Sequence, residues 1–223
     1  MKEFKNKAGE RVEVTIQKLR ACLQRAIGRF NDNEKSSLLL PRETPNGLYV
    51  GEKDKGWGAA SERAIAHRLA VYLECGLRSE GIVEDGGLIS VDCEYNRHLD
   101  GMKTHRIPEE LIIIVEKAKR NPKPISDDEG FYVFSIAPDI IVHHRGEDDL
   151  NLLVIELKKT TNHEIPKYDD LKLRCFTKEG RDAYAYQLGF AVVAVDDVAP
   201  AERELKLSTL YANGRPQPEN YGA

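Results

Sequence analysis

The feature that most restricts how this chain can fold is a pair of short runs rich in Ile, Val and Leu, 136–144 and 152–158, split by the charged segment RGEDDLN. Runs of that length and composition predict β-strands. The segment between them predicts a turn longer than the tightest hairpin loop. An antiparallel hairpin is therefore expected. Side chains alternate along a strand, so Glu156 and Lys158 face one way and Leu157 the other. The start of the first strand lies beside the end of the second, which brings Asp139 next to Glu156. Two adjacent carboxylates repel unless a cation sits between them, and an all-oxygen donor set suits Mg²⁺ or Mn²⁺. Lys158 would then place an ammonium beside the attacking water. Those are the parts that phosphodiester hydrolysis needs.

Pro138-Asp139, sixteen residues, then Glu156-Leu157-Lys158 resembles the PD-(D/E)xK motif of restriction-endonuclease-like nucleases. The resemblance implies an α/β fold with core order α-β-β-β-α-β, a mixed central sheet flanked by helices. An N-terminal helix is added here. The chain would divide into an N-terminal helix and loop (1–58), a core (59–212) and a tail (213–223). The implied activity is that of an Mg²⁺-dependent, endonuclease-like phosphodiesterase acting on nucleic acid, DNA before RNA, in defence or repair. Asp139, Glu156 and the Leu157 carbonyl would hold the metal, with Lys158 orienting the water and Glu62 adding a further acid. The alternative on the same fold is a catalytically silent nucleic-acid-binding or protein-interaction module.

The flanking elements fit that order. Apolar residues from Val12 to Phe30 recur at steps of three and four, predicting a helix over 11–30 for packing or dimerisation. Residues 31–58 read as a long loop around Trp57. Ser61 is placed to cap a second helix and Gly76 to end it. Glu62 in its first turn is favoured by the helix dipole, and the resemblance makes it a site residue. A strand over 88–96 puts Asp92 and Glu94 on one face. Glu94 is expected to pair with Arg97 or to join the site. Residues 97–106 form a basic loop whose Arg97, Lys103 and Arg106 are expected to touch phosphate. Pro108 opens a helix-like segment whose apolar run Leu111–Val115 is also compatible with a strand, and a turn-rich linker follows over 121–130. After the hairpin, YDDLKLRCFT and RDAYAYQLG are expected as two helical pieces. Lys172 and Arg174 on the first are expected phosphate contacts, and the resemblance adds Gln187 on the second. The apolar run 190–195 predicts a buried strand parallel to the Glu156 strand, because a helix crosses between them. Residues 204–211 read as an edge strand, and the tail as turn-rich and frayed.

Composition narrows the partners. A net charge of −4 excludes a broadly basic nucleic-acid binder and leaves local basic surface, a homodimer or a partner subunit to hold the nucleic acid. No apolar run approaches the ~20 residues of a membrane span. The four cysteines are scattered without a CxxC pair, which fits reduced thiols and a cytoplasmic location.

Overall fold

The computed structural model describes residues 1–39, 60–98, 101–117, 125–161, 166–180 and 183–221. The chain opens with an antiparallel hairpin, β1 (Lys2–Lys5) and β2 (Arg11–Val14), followed by α1 (Ile16–Asn33) and a turn of π-helix, Lys35–Leu39. Then come α2 (Glu62–Ser79), β3 (Ile89–Cys93), a two-residue ribbon of β4 (Arg97–His98) and β5 (Gly101–Met102), and β6 (Thr104–Ile107). A 3₁₀ turn, Glu109–Leu111, leads into α3 (Ile112–Lys117), β7 (Ile125–Ser126) and β8 (Tyr132–Ser135). The expected hairpin is β9 (Ile140–His144) and β10 (Leu153–Lys159). Helix α4 (Pro166–Thr177) crosses to β11 (Leu188–Val195), and β12 (Glu204–Ala212) and β13 (Arg215–Gln217) close the chain.

Six strands form one mixed sheet in the order β13-β12-β11-β10-β9-β3. Only β10 and β11 run parallel, because α4 must carry the chain back across the sheet before β11 begins. Alternation divides the two layers cleanly. Leu153, Ile155 and Leu157 of β10 join the core under α1 and α2. Val154 and its neighbour Ile141 on β9 join a second core under α4, where Leu171, Leu173 and Phe176 pack with Tyr184 and Tyr186. A small sheet in the order β6-β8-β7 supplies Ile107 and Phe134 to that second core. No helix among the described residues is long and apolar enough to cross a membrane.

Several elements differ from the sequence expectation. The helix expected over 11–30 starts later, because Thr15 accepts a hydrogen bond from the Lys18 N–H and Val12 and Val14 belong to β2. Helix α2 runs past Gly76, and Gly81 ends it. Gly81 has φ +68°, its N–H bonds the Arg78 carbonyl, and the Ile82 N–H bonds the Leu77 carbonyl. Buried Ile82 and Leu77 complete the apolar contact of this C-terminal cap. Gly76 instead faces Cys22 of α1, where a Cβ would stand 3.7 Å from the Cys22 carbonyl oxygen. The second helical piece expected after Thr177 does not form among the described residues: 183–187 are irregular and sink Tyr184 and Tyr186 into the core. The tail has its expected turn but does not fray at once. Asn213 and Gly214, both at positive φ, turn it into β13, so β12 is an interior strand. Pro108 does precede a helical segment. The loop holding Trp57 lies outside the described residues.

Candidate active site

The hairpin register places the two motif acids. The β9–β10 ladder ends with Ile155 opposite Ile140, so Glu156 and Asp139 occupy the next opposed positions, which share a sheet face. The Leu157 N–H donates to Asp139 Oδ2 at 2.7 Å. The Asp139 carbonyl accepts from the Glu94 N–H at 3.1 Å. Asp139 is therefore held from both neighbouring strands where the ladder opens. Within a strand the N–H and C=O of one residue point the same way, so the Leu157 carbonyl faces the Asp139 side as well.

Glu156 is buried beneath α4. Its Oε2 accepts from the Lys172 ammonium, while Oε1 is buried with no hydrogen-bond partner. Lys172 Nζ also lies 3.2 Å from Asp169 Oδ1. Lys158 Nζ stands 3.8 Å from Asp169 Oδ2 and 3.9 Å from Glu62 Oε2. Glu62, at the first position of α2, accepts from the Lys159 N–H at 2.9 Å through Oε1. Three acids from the central sheet and α2 thus meet one acid and one lysine from α4 near the C-terminal end of β10. The neighbouring strand end is fixed by Asp196, which accepts from the Thr161 N–H at 3.0 Å and pairs with Lys159 Nζ at 3.1 Å.

Burial dominates the electrostatics. It pushes the Glu156 carboxyl well above its usual range, against the opposing pull of Lys172, with Asp139 and Asp169 adding to the rise. Burial likewise raises Asp139, against Lys172 and the Leu157 N–H. For Lys172, burial works downward, but Glu156, Asp169 and Asp139 more than offset it and raise the ammonium's pKa. An ammonium thus offsets part of the charge of carboxylates that would otherwise repel one another. Among the described residues, no three His, Cys, Asp or Glu side chains are already grouped to hold a metal ion. The donor chemistry still suits a hard divalent cation: Glu156 Oε1 is a buried, unpartnered carboxylate oxygen, and Asp139 and the Leu157 carbonyl add oxygens at the same strand end.

The structure sorts the remaining expected contacts. Lys103 is buried, its ammonium 4.5 Å from the Tyr184 ring centroid and 5.7 Å from that of Tyr186, so it offers no surface to a phosphate. Arg106 is exposed but pairs with Asp127 at 2.7 Å and Glu129 at 3.0 Å. Arg97 lies in β4, whose backbone pairs with β5. Lys172 is internal to the acid cluster rather than a surface contact. Gln187 precedes β11, level with the start of β10 rather than with Glu156, and donates to the Val14 carbonyl at 3.4 Å. Arg174 pairs with Asp170 at 2.7 Å. Glu94 reaches Arg63 at 2.7 Å and touches Asp139 through its backbone N–H. His143 is buried, with Nε2 3.0 Å from Asp92 Oδ2, and Arg145 closes on the same aspartate.

Asp169 is the member that sequence reasoning missed. Its signal was present: Asp169 and Lys172 stand three apart at the start of a helix that follows the Glu-Leu-Lys strand, and so share one helix face. Compared with known proteins, the chain matches no family model, no curated protein and no solved structure. A functional reading therefore rests on these residues.

Proposed function

We propose that the chain is a divalent-metal-dependent nuclease with a restriction-endonuclease-like core, hydrolysing phosphodiesters in DNA before RNA. The observation that carries this reading is the pairing of Asp139 and Glu156 at the opened end of one hairpin, with the Leu157 N–H donating to Asp139. The order α2-β3-β9-β10-α4-β11 supports it, since it follows the α-β-β-β-α-β succession. Helix α3 and the small sheet are inserted between β3 and β9 without breaking the β3–β9 pairing.

Asp139, Glu156 and the Leu157 carbonyl would hold Mg²⁺ or Mn²⁺. A bound divalent ion supplies Lewis-acid polarisation and neutralises charge at the phosphoryl group. The chain's own groups do the rest. Lys158, placed between Glu62 and Asp169, orients the attacking water and meets negative charge on the phosphoryl oxygens. Glu62 ties the start of α2 to β10 through the Lys159 N–H and so fixes where Lys158 can reach. The buried face under α4 limits bulk water around Glu156.

The test is cleavage of plasmid and single-stranded substrates with Mg²⁺ or Mn²⁺. Asp139→Ala and Lys158→Ala are each expected to cut activity by ~10²-fold or more, the usual scale for losing a group that stabilises transition-state charge. Full activity in both variants would remove the site assignment. One observation favours a second reading, a catalytically silent binding module: Lys172 already pairs with Glu156 and Asp169 without a metal. That reading expects nucleic-acid binding with no cleavage of any substrate, and unchanged binding in both variants.

A further inference from the structure

The acid cluster already contains a cation, and that cation belongs to the protein. Lys172 is buried, donates to Glu156 Oε2, and stands 3.2 Å from Asp169. Glu156 Oε1 is buried alongside with no partner. The charge of the site is therefore partly offset, and its hydrogen-bonding capacity is not fully used. A divalent ion bound to Glu156 would place two further positive charges within a few ångströms of the ammonium, in a region shielded from water. Like charges at such range in a low-dielectric setting do not coexist without movement. The Lys172 side chain has a flexible four-carbon stem, and its ammonium already lies over the Tyr168 ring, 5.2 Å from the centroid, so a cation–π contact can persist while the stem turns away from Glu156.

We propose that Lys172 is the built-in occupant of the divalent-cation site, bridging Glu156 and Asp169 in the metal-free protein and swinging out when the metal enters. This rests on the metal-site reading given above. It explains why the donor oxygens are present while no group of three is drawn together among the described residues: the ammonium holds Glu156 toward α4, and the ion must displace it to collect its ligands. It also gives Lys172 a positioning role distinct from that of Lys158, which touches Glu62 and Asp169 but not Glu156.

The experiment measures Mn²⁺ binding to the full chain by calorimetry, wild type against Lys172→Gln. Glutamine can still donate to Glu156 but carries no charge. The variant is expected to bind Mn²⁺ ~10-fold more tightly or better, since a competing charge beside the ion is gone. Equal or weaker affinity overturns the proposal. A second arm uses the wild type alone, so that it stands even if the variant fails to fold. Acylation of Lys172 by an amine-reactive reagent, read by mass spectrometry, is expected to rise several-fold on saturation with Mn²⁺. A lysine equally protected with Mn²⁺ bound overturns the proposal. Cleavage separates the two claims. Tighter Mn²⁺ binding by the variant with no nuclease activity in either protein keeps the displacement and removes the nuclease reading. Cleavage by the wild type with unchanged Mn²⁺ affinity in the variant does the reverse. Absence of Mn²⁺ binding by both proteins removes both.

Discussion

At the scale of single residues, His105 tests how deeply a titratable group has been buried. Its ring packs among Phe134, Phe176 and Tyr184, and its Nε2 has no hydrogen-bond partner. Burial, helped by the nearby Lys103 charge, lowers its pKa from 6.5 to about 3. The unfolded chain therefore takes up a proton that the folded chain refuses, and stability falls as pH drops through 6.5 toward 3. This one group contributes a slope of at most about 1.4 kcal/mol per pH unit. His105→Phe keeps the ring and removes the titration. Urea unfolding of both proteins between about pH 4 and pH 7 should show the variant's stability falling less steeply as acid is added, with no loss at neutral pH. Parallel curves would mean that His105 finds water in the folded state. The same strand shows why sequence reading misjudged its neighbours. Charge counting made 97–106 a basic loop, but Lys103, His105 and Ile107 alternate with Thr104 and Arg106, and the alternate set is buried. The period of two was legible; the charge concealed it. Asp139 and Glu156 were legible because a hairpin fixes both face and register. For Asp169 the local pattern gave only a shared helix face with Lys172; that this face meets β10 depends on how α4 docks, which the spacing does not encode.

At the scale of elements, the position of α4 is set by one glycine. A Cβ at Gly189 of β11 would lie 2.9 Å from Thr177 Cγ2 and 3.2 Å from Leu173 Cδ2. Thr177 cannot rotate aside freely, since its hydroxyl donates to the Leu173 carbonyl at 2.8 Å in the buried core. Gly189→Ala should therefore push the helix off the sheet and cost about 1–3 kcal/mol, the usual penalty of overpacking. Gly28 is the control. It is exposed in α1, and a methyl group added there would meet nothing within 4 Å, so Gly28→Ala should stabilise by about 0.5–1 kcal/mol through helix propensity alone. Urea midpoints of the two variants should move in opposite directions; a shift of the same sign in both would break the packing argument. Because α4 carries Asp169 and Lys172, the Gly189 change should also weaken whatever the acid cluster binds, and the Gly28 change should not. Elements with a clean period were visible in the sequence, as in β9, β10 and β11. Those resting on distant partners were not. The β1–β2 hairpin is docked by Lys2, which donates to the Asp149 and Asn151 carbonyls at 3.1 Å. Strand β8 is completed by β6 and β7, and β13 only by β12.

At the scale of the whole molecule, the question is how a chain of net charge −4 would hold a polyanion. Among the described residues, the three lysines of the candidate site are already engaged. Lys158 faces Glu62 and Asp169, Lys159 faces Asp196, and Lys172 faces Glu156 and Asp169. Farther out, Arg63 faces Glu94, Arg106 faces Asp127 and Glu129, Arg145 faces Asp92 and Arg174 faces Asp170. Exposed pairs of this kind are weak and can open for a phosphate, but each opening leaves a carboxylate behind to repel it. Nucleic acid should therefore bind through few phosphate contacts and lean on the divalent ion. Each neutralised phosphate on duplex DNA contributes a slope of about −0.9 in log K against log salt. Three or four contacts give a total near −3, against about −10 for a strongly basic repressor. Anisotropy of a labelled duplex with nuclease-resistant linkages, titrated with KCl at fixed Mg²⁺, should give this shallow slope and lose most binding when Mg²⁺ is chelated. A slope steeper than about −6, or binding indifferent to chelation, would require a basic surface that the paired cations do not provide. In that case the expected second copy or partner subunit becomes the means of holding the nucleic acid, and sedimentation with and without the duplex would show the change in mass.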